Sequence, residues 1–206
     1  MSEQPESPRR RTQQERSEAT TRKLLATARD HFARHGYAGT SLEGVVASCG
    51  VTKGAFYHHF ANKERLFEAV FVEEQRRIVE GLAKTYGAAA ERDPRRAFYD
   101  ACRAYLEISL DPAVQRITLL DALAVLGWER MREIESDFGL AMMKMAIGNA
   151  LSVRGARRRE VDPLAHILFG AMSEAAMYMA NAEDQAAAKR QVERQLGRLL
   201  DCLLAD

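Results

Sequence analysis

Apolar residues recur at three- and four-residue intervals through most of this chain, and no stretch alternates apolar with polar in the period of a half-buried strand. The pattern predicts an all-α protein of about nine to ten helices. A first helix over 17–35 carries Leu25, Ala28 and Phe32 on one stripe; Gly36 follows as a left-handed C-terminal cap, with Tyr37 folded back on the last turn. Thr40 and Glu43 form Thr-x-x-Glu, a capping box that opens a short second helix burying Leu42, Val45, Val46 and Cys49. Gly50-Val51 supplies a turn. Thr52 caps a third helix with Phe56 and Phe60 inward, and Asn62 caps a long fourth helix to about residue 84, with Leu66, Phe67, Val70, Phe71, Ile78 and Leu82 inside.

Three Asp-Pro pairs, at 93–94, 111–112 and 162–163, each place a capping carboxylate before a proline suited to the first helical position. They predict helices over 94–110, 112–126, 127–136, 137–153, 163–181 and 186–204, with a basic linker over 154–161. Together these elements divide the chain into a polar tail (1–16), a head of paired short helices (17–62) and a helical body (63–206).

Composition narrows the function. With 206 residues, 47% hydrophobic and 29% charged, the chain can bury a core, and no apolar run approaches the ~18 residues that cross a bilayer. Its N-terminus has no secretory hydrophobic segment. Cys49, Cys102 and Cys202 are odd in number and far apart, which predicts neither disulfides nor a metal site and suits a reducing cytoplasm. Residues 1–66 hold eleven Lys/Arg against seven Asp/Glu, whereas residues 67–206 hold nineteen against twenty-two. The basic part carries the paired short helices, as a surface facing DNA would.

Paired helices joined by a tight turn read double-stranded DNA by laying the second helix in the major groove, its N-terminal residues nearest the bases. Thr52, Lys53, Gly54 and Ala55 occupy that end here. Gly54 is unfavourable in a helix by about 1 kcal/mol against alanine, and close approach of the backbone to DNA gives it a reason. Ala55 suits a thymine methyl and Lys53 a guanine or phosphate; Tyr57 and His58 share the outer surface, and His59 and Lys63 reach toward phosphates. On that reading, Lys63→Ala weakens binding uniformly across DNA sequences and lowers its salt slope.

The run Gly50-Val51-Thr52-Lys53-Gly54-Ala55-Phe56-Tyr57-His58-His59-Phe60, followed by Asn62-Lys63-Glu64 and Leu66, resembles the DNA-binding head of the TetR family of bacterial regulators; Phe32, Gly36, Tyr37 and Thr40 resemble its first helix and exit. The resemblance implies an all-α homodimer acting as a ligand-responsive regulator, usually a repressor released from a palindromic operator by a small molecule. It places Lys53, Gly54, Ala55, Tyr57, His58, His59 and Lys63 at DNA, and Thr40 and Ser41 where a helix N-terminus meets phosphate. Ala55 departs from the hydroxyl residue frequent at its position, and Phe56 stands at a usually aliphatic one facing the core. The alternatives are an activator, and a small-molecule-binding protein with a non-regulatory head.

The body is read from composition and spacing. Methionines cluster in the second half, and an adaptable pocket for an apolar or aromatic effector is expected to include Phe98, Cys102, Tyr105, Leu123, Trp128 and Met142. Gly170, Ala171, Ala175 and Tyr178, with the stripe Val192, Leu196, Leu199 and Leu203, suit either a dimer seam or packing within one subunit. Arg9-Arg10-Arg11 reads equally as a minor-groove arm or a solubilising tail. His31 and His35 lack a third ligand at metal spacing, and no arrangement of catalytic residues or cofactor-binding motif is found.

Overall fold

The computed structural model describes residues 12–152 and 158–203, and among them there is no strand. Helices α1 (Gln13–Gly39), α2 (Leu42–Cys49), α3 (Lys53–His59) and α4 (Lys63–Ala90) are followed by α5 (Pro94–Ile108) and a single turn, α6 (Pro112–Val114). A π-helical segment (Gln115–Asp121) leads into α7 (Ala122–Asp137), then α8 (Gly139–Ser152), α9 (Arg158–Ala180) and α10 (Gln185–Leu203).

Local chemistry explains most boundaries. Thr12 and Glu15 form a capping box that starts α1 at Gln13, inside the stretch expected to be tail. Arg9-Arg10-Arg11 and positions 154–157 of the expected basic linker lie outside the described residues, and the rest of that linker, 158–161, is instead the start of α9. Gly36 interrupts α1 at φ 67°, ψ 175°, an extended glycine conformation rather than the left-handed cap expected there. Thr52, Asn62, Asp93 and Asp111 each accept the backbone N–H expected of an N-cap. Asp162-Pro163 does not start a helix: Pro163 lies inside α9, and the Asp162 carboxylate pairs with Lys144 of α8 instead.

The head core is built on Leu24, Phe32, Val45, Cys49, Phe56, Leu66 and Phe67, all buried. This cluster does not stop at residue 62: it continues through Phe71 to Ile117, Ala122 and Ile134, so the head packs directly on the π-helical segment and α7. A second core, with Phe98, Leu106, Leu140, Ile147, Leu168 and Met179, fills the body among α5, α8, α9 and α10.

Candidate nucleic-acid interface and body cavity

The third helix is two-faced. Phe56 is fully buried and Phe60 nearly so, while Tyr57 is 56% exposed on the opposite side with its ring edge-on to Phe56 at 5.3 Å. His58, Lys53 and Gly54 are exposed as well. Space opposite Gly54 is open: a Cβ there would meet only Thr52 Oγ1, at 3.9 Å. Nothing within the subunit therefore requires glycine at this position. Gly50 does need its freedom, since it turns α2 into α3 at φ 65°, ψ 32°. The Lys53 ammonium pairs with Glu43 at 3.0 Å, and this contact holds the Glu43 carboxyl below its ordinary range.

Two expected anchors are used differently. Thr40 is only 2% exposed, and its hydroxyl donates inward to the Gly36 carbonyl at 2.8 Å. Ser41, one residue on, caps α2 by accepting from the Gly44 N–H at 3.1 Å, so the Thr40–Glu43 capping box does not form. Lys63 Nζ donates to the Tyr37 and Thr40 carbonyls, both at 2.9 Å, and lies 4.1 Å from the Tyr37 ring centre. It clasps the exit of α1 instead of pointing outward, which removes Thr40 and Lys63 from the exposed set. His59 is half-buried, with Nδ1 3.1 Å from Thr21 Oγ1, and His31 Nε2 stands 3.0 Å from Ser48 Oγ.

Two polar joints tie head to body, and one between them braces α4 against α7. Arg29 grips the buried Glu74 of α4 with two hydrogen bonds (2.7 and 3.1 Å). Glu68 of α4 accepts from Arg130 of α7 at 2.9 Å; burial raises this carboxyl, but bonds from Arg130 and Arg65 outweigh burial and hold it low. At the third joint the Asp121 carboxylate accepts from the Tyr37 N–H at 2.7 Å and from Arg116 at 3.3 Å, with the Arg116 guanidinium lying against Gly36.

The body holds a cavity of about 430 Å³ that opens to solvent beside the exposed Leu123 and Trp128. Phe98, Cys102, Tyr105, Leu123, Trp128 and Met142, the six residues expected to form an apolar pocket, all line it. Burial pushes the Cys102 thiol up to about 12, so it contributes as an apolar wall. Sequence reasoning missed its polar lining, which includes Gln75, Arg132, Glu135, Ser173 and Glu174, because charges in amphipathic helices read as solvated faces. Thr118 and Leu119 of the π-helical segment also line it, on the same element whose Arg116 and Asp121 hold the head.

On the outside of the body, Ile167, Ala171 and Tyr178 of α9 and Leu199 of α10 are exposed, a mostly apolar surface that includes Glu174; Gly170 is also exposed and lines the cavity. Ala175, Val192, Leu196 and Leu203 of the expected seam are partly buried against the subunit's own core. No helix among the described residues is long and apolar enough to cross a membrane, and they contain no cluster of side chains able to hold a metal.

Comparison with known proteins fits both halves. Residues 24–70 match the bacterial regulatory proteins of the tetR family, and residues 95–203 match the tetracyclin repressor-like C-terminal domain. The chain is 25% identical over 179 residues to the transposon Tn10 TetC protein of Escherichia coli, covering 87% of this chain and 89% of that one. It is 38% identical over 91 residues to the HTH-type transcriptional repressor AcnR of Corynebacterium efficiens, covering 42% of this chain and 47% of that one. The crystal structure of a TetR-family transcriptional regulator from Pectobacterium atrosepticum superposes with a TM-score of 0.80 at 36% identity, covering 95% of this chain and 99% of that one. With a tetR-type head and a tetracyclin repressor-like body each matched along its length, the chain belongs to the TetR family of bacterial transcriptional regulators, with its DNA-binding domain at the N-terminus.

Proposed function

We propose that this regulator is a cytoplasmic repressor that binds a palindromic operator as a homodimer and leaves it when a small apolar or aromatic molecule enters the body cavity. It acts by binding rather than catalysis. The observation that carries the reading is the outer face of α3, where Lys53, Gly54, Tyr57 and His58 are exposed over a fully buried Phe56. Two such helices in a dimer enter successive major grooves, with Thr52, Lys53, Gly54, Ala55, Tyr57 and His58 toward the bases and Ser41 and His59 toward phosphates. The exposed apolar face of α9 and α10 supports pairing there (Ile167, Gly170, Ala171, Tyr178, Leu199).

The π-helical segment is our candidate for coupling cavity to head. π-turns are rare and recur at functional sites, and this one faces the cavity through Thr118 and Leu119 and the end of α1 through Arg116 and Asp121. A ligand shifts the balance between DNA-competent and released forms only by binding one better than the other. Repacking this turn around a ligand is a direct way to couple that preference to the head.

Selecting DNA from a random pool tests the reading: it is expected to yield a palindrome with half-sites about one helical turn or more apart, bound by an even number of chains. Recovery of no common sequence would refute it. Two substitutions sharpen the assignment. Glu43→Gln is expected to tighten binding a few-fold, because it frees Lys53 and removes a negative charge beside the reading helix; fluorescence anisotropy measures this. Lys63→Met removes a charged donor from two carbonyls and is expected to lower stability by about 1–3 kcal/mol. Because Lys63 clasps α1, the slope of log affinity against log salt is expected to stay unchanged, contrary to the sequence expectation.

A further inference from the structure

Glu135 of α7 is 8% exposed and lines the apolar cavity. Its Oε2 is buried and makes no hydrogen bond; Arg132 Nη1 lies 3.1 Å away but outside hydrogen-bonding geometry. Arg132 is also drawn elsewhere, its guanidinium 4.4 Å from the Trp128 ring centre and 5.3 Å from that of Phe169. Hydroxyls along the cavity are engaged elsewhere: Ser173 donates to the Phe169 carbonyl at 2.9 Å and Thr118 to the Val114 carbonyl at 2.6 Å, and the buried Tyr105 hydroxyl bonds with Ser109 and Ser173. A mostly buried carboxylate at the wall of an apolar cavity thus has Arg132 as an ion-pair partner and one oxygen that makes no hydrogen bond, an arrangement that a ligand donor would relieve.

Charge then selects the donor. Of the charged residues along the cavity, Glu174 is exposed to solvent, and the inner pair of Arg132 and Glu135 is neutral; a cationic ligand would leave an uncompensated positive charge among Phe98, Leu82 and Met142, and an anionic one would face Glu135. Burial pushes the Glu135 carboxyl upward against the opposing pull of Arg132, which again disfavours further charge. Phe98, Tyr105, Trp128 and Phe169 line the cavity with rings, and its size of about 430 Å³ lies within the range of small-molecule sites.

We propose that the cavity takes a neutral, hydroxyl-bearing aromatic molecule whose O–H donates to the Glu135 carboxylate. This rests on the reading of the cavity as the effector site. Four probes of similar apolar body separate the classes: 4-butylphenol, butylbenzene, 4-butylbenzoate and (4-butylphenyl)trimethylammonium, each titrated calorimetrically into the full-length protein. The phenol is expected to bind at least about tenfold tighter than butylbenzene, the change that one hydrogen bond to a charged acceptor produces, and tighter than either ion. Glu135→Leu is expected to erase that advantage while leaving butylbenzene binding intact. Glu135→Gln, which keeps an acceptor and the side-chain length, is expected to retain part of it, and serves if the leucine variant does not fold. Equal binding of phenol and butylbenzene by the native protein would overturn the hydroxyl assignment while leaving the cavity as a site. Tightest binding of the ammonium probe, lost in Glu135→Leu, would overturn it in favour of a cation. Failure of all four probes to bind would overturn the cavity reading itself.

Discussion

Gly54→Ala is expected to move stability and DNA affinity in opposite directions. Glycine disfavours the helix by up to about 1 kcal/mol relative to alanine, and an added Cβ at Gly54 meets nothing closer than 3.9 Å within the subunit. The isolated protein is therefore expected to melt at a higher temperature. On the operator the same methyl group stands between the α3 backbone and the DNA, once per subunit. If each costs about 1–3 kcal/mol, the range of a disrupted base contact, a dimer loses about 2 kcal/mol or more, which is about thirtyfold in affinity. Thermal melts and anisotropy titrations on one preparation measure both signs. Unchanged affinity would mean that glycine here has neither a structural nor a DNA-facing reason.

The second large effect is expected at Gly36. Its φ of 67° with ψ of 175° belongs to a region that only glycine occupies readily, so Gly36→Ala is expected to cost about 1–3 kcal/mol from backbone strain. The new Cβ would also stand inside the Arg116 guanidinium, forcing it away from Asp121. Asp121 also accepts from the Tyr37 N–H at 2.7 Å, so the joint between the end of α1 and the π-helical segment loosens. Denaturant melts are expected to record the loss. Because both substitutions disturb the same joint, Gly36→Ala and Arg116→Ala are expected to be non-additive when combined. Effector-induced release should weaken in either variant, since the cavity-lining Thr118 and Leu119 share the segment that carries Arg116 and Asp121.

Elements governed by local chemistry were legible from the sequence. Thr52, Asn62, Asp93 and Asp111 cap helices as their side chains and spacing require, and the stripe from Leu66 to Leu82 is buried as its period requires. Errors arose where two local solutions compete. Thr40 and Ser41 are adjacent and both suit a cap; burial of Thr40 against Gly36 decides for Ser41. Asp162-Pro163 has the signature of a helix start, but its carboxylate pairs with Lys144, a partner distant in sequence. The π-helical turn differs from an α-helix by one residue per hydrogen-bonded loop, a change too small to register in seven residues of apolar pattern. Lys63 was missed as a clasp because its acceptors are backbone carbonyls, which no side-chain pattern reveals. Glu135 reads as one more acid near a helix end, and only folding brings it to the cavity wall.

The central claim is that the outer face of α3 reads the operator, and a double substitution tests it most directly. Lys53 and Tyr57 are exposed, so removing both side chains should leave the melting temperature of the free protein unchanged. Binding of Lys53→Ala/Tyr57→Ala to the selected operator is to be measured by anisotropy beside the native protein. With four truncated side chains per dimer, each worth about 1 kcal/mol or more at a base or phosphate, affinity is expected to fall about a thousandfold or more. Native affinity in a folded double variant would contradict the claim and move the reading surface elsewhere on the head.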